Sequence, residues 1–301
     1  MTKMTRIRWI TPGLVWRLLA LNLALNLALF LPAQLGWIAR PAGALAAVGL
    51  LGGLCAYGLA LLVCLKIEEE YRDAPLFRWA WLGMAANAAI LLFRPLAQDT
   101  LAEVLWPDFH ASPWRLLLRH VLIVAGNLAL GLSLLAMWWG YRRLRLGFHI
   151  RRRDYAAMAG LLVLLAALAG VRENLTEAAS PFAANRVLQL VGLALLFVIA
   201  VAGIVLQRIA AQMNGGRLAV VLRWLTIYVL LRLGLVVLAS LLRAAFPDAP
   251  WASDVSRFAW QAVAWVFTLT VAYQMRVTLT AAEQLESVRQ KRIVDKPAMI
   301  S

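Results

Sequence analysis

One residue in this chain stands where charge is expensive and chemistry is therefore worth looking for. Arg232 lies in the middle of an apolar run, YVLLRLGLVV, and no apolar run of span length holds an Asp or Glu in its interior. A central arginine costs at least about 2.5 kcal/mol on insertion scales, so it must face the interior of a bundle, water or an acceptor. Its planar fork matches carboxylate or phosphate. An anion site is therefore the sharper expectation, and an arginine that snorkels to an edge or closes a structural polar network is the plainer one. The other polar groups at membrane depth are amides. Asn22 and Asn26 are four apart and share a helix face. Asn87, Asn127, Gln189 and Gln261 each lie in a different run. Lining a ligand cavity with Arg232 is one role for them; interhelical hydrogen bonding, worth about 0.6 kcal/mol on average, is the other.

Several other chemistries are disfavoured. Proton- or sodium-driven carriers hold an ionisable acid at membrane depth, which these runs lack. Cys55 and Cys64 fall within one run and form no disulfide framework. His110, His120 and His149 lie in three separate regions without metal-ligand spacing, so neither a metal nor a cofactor is expected. Glu68, Glu69 and Glu70 are consecutive, and adjacent helical positions do not converge on one ion. Glu173, Glu177, Asp99, Glu103, Asp108, His110 and His120 supply acids and bases on the outer side, but no nucleophile–base–orienter set can be named among them.

The elements that hold these residues follow from composition. Of the 301 residues 63% are hydrophobic and 15% charged, against roughly 45–50% and about 25% in soluble domains. The apolar residues fall in blocks of about 20, enough to cross a hydrocarbon core. Eight spans are expected, at about 14–39, 42–65, 79–96, 115–141, 155–171, 187–209, 218–246 and 255–275. The fold class is an all-α polytopic bundle over residues 1–278, with a helical tail over 279–301. Thr11-Pro12 reads as a cap followed by proline at the first helical position, and Pro32 is expected to kink the first span. A cleaved signal peptide is disfavoured by Arg17 and by the length of the run. Gly49 and Gly53 share a face and admit a close neighbour, inside the bundle or in a dimer.

Charge sets the orientation. The net charge is +15, but the basic residues punctuate apolar blocks and do not form one soluble face, so nucleic acid is not the expected partner. The stretch RRLRLGFHIRRR carries Arg142, Arg143, Arg145, Arg151, Arg152 and Arg153 between two spans. With eight spans, 21 of the 30 Lys and Arg lie on the side of this stretch, 8 on the other, and Arg232 between them. Lys and Arg are retained on the cytoplasmic side, so both termini are expected there, with the basic loop against anionic headgroups. Arginine outnumbers lysine 26 to 4, which points to a GC-rich bacterial gene and a bacterial inner membrane.

Two features widen the functional choice. Arg78-Trp79 opens the third span and Arg223-Trp224 lies near the start of the seventh, and PDFHASPW (107–114) and PDAPW (247–251) follow those spans. A duplication of spans one to four as five to eight gives parallel repeats, with a ligand site between halves. The last span continues without Pro or Gly into a tail in which Leu279, Ala282, Leu285 and Val288 form an apolar stripe. In layout this resembles the membrane input half of bacterial receptors, and residues 279–293 are a candidate surface for a cytoplasmic protein partner. The leading expectation is a non-enzymatic sensing, scaffold or assembly role. A permease or flippase-like carrier of an anionic or lipidic substrate around Arg232 is the alternative, and a membrane enzyme with an outward-facing site is the third reading.

Overall fold

The computed structural model describes residues 9–96, 113–143, 150–177, 183–212, 217–246 and 249–295. Among them there are eight α-helices and no strand: α1 (Pro12–Gln34), α2 (Ala42–Glu70), α3 (Pro75–Pro95), α4 (Pro113–Arg143), α5 (Arg152–Glu177), α6 (Ala183–Gln212), α7 (Arg217–Ala245) and α8 (Pro250–Asp295). All eight are long and apolar enough to cross a membrane, which makes the chain a multi-pass membrane protein.

The helix ends follow local chemistry. Four helices begin on proline, whose missing N–H costs nothing in the first turn. Thr11 caps α1, its hydroxyl oxygen accepting from the Leu14 amide at 3.2 Å. At α5, Asp154 reaches back to accept from the Arg151 amide at 2.8 Å, half of a capping box. The first helix is shorter than the run 14–39. Gly36 adopts φ +73°, the left-handed conformation glycine tolerates best. The Trp37 amide then donates to the Pro32 carbonyl at 2.9 Å and the Gly36 amide to that of Ala33 at 3.3 Å, a Schellman stop. Pro32 thus lies in the last turn, and the helix passes through it to Gln34. Conversely, α5 runs on to Glu177, and α8 spans 46 residues, starting five before the expected 255 and continuing through Arg276 and Thr280 to Asp295.

Helix α2 packs on α3, α3 on α4, α4 on α6, α6 on α7, α7 on α8, and α8 back on α2. Six helices therefore close a ring. Helix α1 lies outside it against α2 and α8, and α5 lies outside it against α6 and α7. Chain order alternates the helix directions, so the C-terminal ends of α1, α3, α5 and α7 share one end of the bundle with the N-terminal ends of α2, α4, α6 and α8. We call this the mouth end. At the opposite, tail end, α8 leaves the bundle.

Hydroxyls lend short links between ring neighbours: Thr268 donates to the Ala56 carbonyl at 2.8 Å and Thr226 to that of Gly203 at 3.2 Å. Gly49 faces α8, where an added Cβ would lie 2.6 Å from the Arg257 side chain, whereas Gly53 faces open space. The first glycine of the pair is thus used inside the bundle. Exposed aromatics ring both ends, with Trp9, Trp79, Trp139 and Tyr155 at the tail end and Trp37, Trp114 and Phe246 at the mouth end. Such belts sit at membrane–water interfaces. Arg142, Arg143, Arg151, Arg152 and Arg153 are exposed at the tail end; Arg145 and His149 lie outside the described residues.

Candidate functional site

The site is built by three ring helices that meet at one level. Arg232 on α7 is 3% exposed, and its guanidinium crosses the ring interior to α3 and α4. One terminal nitrogen donates to Asn87 Oδ1 at 3.1 Å and to the Tyr228 hydroxyl at 2.8 Å. The other donates to Asn127 Oδ1 at 2.6 Å. Asn127 in turn donates through Nδ2 to the Gly192 carbonyl on α6 at 3.3 Å. Asn87 and Asn127 are 0% and 1% exposed, so every acceptor around the guanidinium is buried and neutral. Among the described residues, no carboxylate touches it.

Below this level, toward the tail end, the ring is filled. Trp81, Met84, Leu130, Leu134, Tyr228 and Phe267 are fully buried, and the Tyr228 and Phe267 rings pack with centroids 4.8 Å apart. Above it the described residues leave a space between the ring helices. A cavity of about 350 Å³ rises from Arg232 and Asn127 toward the mouth end. Its wall carries Arg94 of α3, Arg119 and His120 of α4, Gln189 of α6 and Arg243 of α7. Among the described residues, no Asp or Glu lines it. Arg94 lies over the Trp260 ring at 5.4 Å, and His120 Nδ1 is 3.1 Å from Asn185 Oδ1. A carboxylate or phosphate that entered would meet cations at the rim and another at the floor.

The remaining amides form a second, separate cluster between α1, α2 and α8. Asn26 Nδ2 donates to Gln261 Oε1 at 2.7 Å and to the Asn22 carbonyl at 2.8 Å. Asn26 Oδ1 and Gln261 Nε2 are buried without a partner. None of these three residues lines the cavity over Arg232. The chain thus brings Arg232, Asn87 and Asn127 together, and Asn22, Asn26 and Gln261 together, in two places.

Ion pairs lie at both ends. At the mouth end Arg40, between α1 and α2, grips the fully buried Asp254 carboxylate with two hydrogen bonds of 2.9 Å. That hydrogen bonding holds the Arg40 guanidinium above its ordinary pKa. At the tail end Arg208 pairs with Asp154 through both Nε and Nη2, tying α5 to α6. There too the Tyr71 hydroxyl accepts from Gln274 Nε2 at 3.0 Å, fixing α8 where it leaves the bundle. Burial pushes the Tyr71 phenol up.

Sequence reasoning missed Tyr228 and the rim. Tyr228 is four residues before Arg232, and that spacing alone puts it on the same face. Arg94, Arg119 and Arg243 read as markers of the membrane boundary, and nothing in the sequence shows that they converge. Asp99, Glu103, Asp108 and His110 lie outside the described residues, as do the side chains of Glu173 and Glu177. Among the described residues, no group of three or more His, Cys, Asp or Glu could hold a metal ion. No family model matches the chain, and no curated protein or solved structure matches it.

Proposed function

We propose that the protein is a membrane carrier that takes an anion into the chamber above Arg232. The supporting observation is a buried guanidinium that, among the described residues, is held by neutral oxygens alone, at the floor of a cavity whose wall carries further arginines. Amide and phenol dipoles occupy its N–H groups without cancelling its charge. An uncompensated charge at low dielectric remains costly, and an anion supplies the compensation that Asn87 and Asn127 lack. Among the described residues the chamber is packed shut toward the tail end and lined but unfilled toward the mouth end, which fits one state of an alternating-access cycle. The lack of a carboxylate at membrane depth favours uncoupled transport or exchange over proton or sodium coupling. The bias of Lys and Arg toward the tail end supports a mouth that faces away from the cytoplasm of a bacterial cell.

The test uses the full-length protein in detergent micelles and in liposomes. Thermal unfolding is followed against phosphate, sulfate and organic carboxylates at constant ionic strength. A saturable rise in Tm, absent in Arg232→Gln, together with uptake of the same anion by liposomes, is the expected result. A rise that survives Arg232→Gln overturns the reading.

A second reading is favoured by α8. This helix carries Trp260 in the cavity wall and runs unbroken from Pro250 to Asp295. About 15 residues beyond Thr280 extend it by some 22 Å at 1.5 Å per residue. In a sensor the anion is the signal, and residues 279–293 carry it to a cytoplasmic partner. Removing 281–301 leaves uptake unchanged in a carrier and abolishes the cellular response in a sensor.

The parallel 4+4 repeat also gains support, because equating Arg78 with Arg223 equates Asn87 with Arg232, and these two bond across the ring. The ring order maps onto itself under that exchange. The outer helices do not follow it, since α1 rests on α2 and α8 but α5 on α6 and α7.

A further inference from the structure

We infer that the tail end carries a binding site for an anionic phospholipid, in the groove where α1 and α7 flank α8. The site is separate from the chamber and does not depend on how the chamber is read. Arg17 on α1, Arg223 on α7 and Arg276 on α8 are all exposed. Among the described residues, Glu68, Glu69, Asp154 and Asp254 pair with other bases, and no carboxylate bonds to these three guanidiniums. Aromatic contacts bring the three arginines to one place. The Trp16 ring meets the Trp224 ring edge-on, with centroids 5.9 Å apart. Trp224 in turn stacks on Tyr273, with centroids 5.8 Å apart and the planes at 13°. Arg17 directly follows Trp16, and Arg223 directly precedes Trp224. Arg276 lies three residues from Tyr273, on the same helix face. Three helices thus present one cation each at one depth, beside rings of the kind that sit at membrane–water interfaces.

Toward the mouth, the same helix faces turn apolar. Leu21 and Leu25 follow Arg17 on α1 at four and eight residues, and Ile227 and Leu231 follow Arg223 on α7 at the same spacing. All four are exposed. Each flanking helix therefore offers a cation at the leaflet surface and carbon beneath it, which is the order of phosphate and acyl chain in a phospholipid. Snorkelling accounts for one arginine at the end of a span. It gives no reason for three, from helices far apart in the chain, to gather without an acid. A phosphate among guanidiniums gains charge-assisted, bidentate hydrogen bonds, and basic pockets between spans hold such headgroups. A soluble anion would meet the cations but not the carbon beneath them. The bound lipid also ties α1, which lies outside the ring, to α7.

The experiment follows thermal unfolding of the full-length protein in a nonionic detergent at constant ionic strength. Cardiolipin, phosphatidylglycerol, phosphatidylethanolamine or inorganic phosphate is titrated in. A saturable rise in Tm with the two anionic lipids, absent with phosphatidylethanolamine and with phosphate, is the expected result. Combining Arg17→Gln, Arg223→Gln and Arg276→Gln weakens anionic-lipid binding at least about tenfold. Combining Arg142→Gln, Arg143→Gln and Arg152→Gln removes as much charge from the same end and leaves the affinity within about threefold. The unliganded Tm of each variant separates loss of the contact from loss of the fold. If the first triple variant is unstable, its three single changes decide, each expected to cost about threefold. Equal losses in the two triple variants mean diffuse attraction to the end of the bundle and overturn the site. A rise with phosphatidylethanolamine overturns the recognition of charge, and an equal rise with free phosphate overturns the lipid. Arg232→Gln leaves the lipid response intact, so failure of this site and failure of the anion chamber are told apart.

Discussion

If the guanidinium of Arg232 is kept for a ligand, removing it should cost the fold less than removing one of its partners. The comparison is between Arg232→Met, Asn127→Leu and the double variant. In Asn127→Leu the charge stays buried and loses its shortest hydrogen bond, the 2.6 Å contact to Oδ1. Bonds to charged groups are worth about 1.5–3 kcal/mol, so a loss of roughly 2–3 kcal/mol is expected. Arg232→Met removes three donors and leaves Asn87, Asn127 and Tyr228 each one partner short. At about 1 kcal/mol for each neutral acceptor the loss is near 3 kcal/mol. It is offset by about 2.5–3.5 kcal/mol gained on withdrawing a charge from membrane depth, so the net change stays within about 1 kcal/mol. The double variant should resemble Arg232→Met, with a coupling energy near 2 kcal/mol. Reversible unfolding in mixed micelles, followed by circular dichroism, measures all three. If Arg232→Met is the less stable single variant, the guanidinium serves the fold, and the inference from its buried charge to a ligand collapses.

Three further expectations test other parts of the architecture. An alanine Cβ at position 52 would lie 2.2 Å from Asn22 Nδ2; Gly52→Ala should lower stability by about 1–3 kcal/mol, as overpacking does, and Asn22→Ala in the same chain should restore most of it. A neutral Gly52→Ala would refute the close approach of α1 and α2. Asp154→Ala frees α5 from Arg208 and should speed amide exchange in α5 by mass spectrometry while α2 and α3 hold; uniform exchange across the bundle would contradict α5 as a separately tied outer helix. In a chain carrying Cys55→Ala and Cys64→Ala, a membrane-impermeant thiol reagent should reach Ser253→Cys and Arg143→Cys from opposite sides of the membrane; labelling of both from one side would break the alternation on which the mouth and tail ends are assigned.

The legible part of this protein is what the bilayer itself enforces. Eight runs without interior acids had to be helices, because lipid offers no partner for an unpaired backbone group. Where the expected limits slipped, a local signal decided. Gly36 stopped α1 early by turning left-handed, and α8 ran on because nothing between Phe258 and Arg292 could break it. The polar network was half legible. Arg232 needed acceptors and the runs offered only amides, so Asn87 and Asn127 were nameable partners. Which amides would join it was not legible. Asn22, Asn26 and Gln261 have the same composition and depth, yet they bond to one another because α1 lies outside the ring against α2 and α8. Helix order in space decided this, and no period within one helix encodes it.

The rim shows the same limit more sharply, because one residue type answers two physical demands. An arginine at the end of a span is stabilised by snorkelling to water and headgroups wherever it points around the helix. Counting such residues by side orients the bundle, since the count ignores that rotation. A binding site depends on the rotation alone. Eight arginines fall on the mouth side in that count, and three of them, Arg94, Arg119 and Arg243, turn inward over the chamber of Arg232. Arg40 instead turns to Asp254 and clamps the link between α1 and α2. The sequence shows these residues as one class of boundary charge, and closure of the ring divides them into those that clamp a helix connection and those that line the cavity.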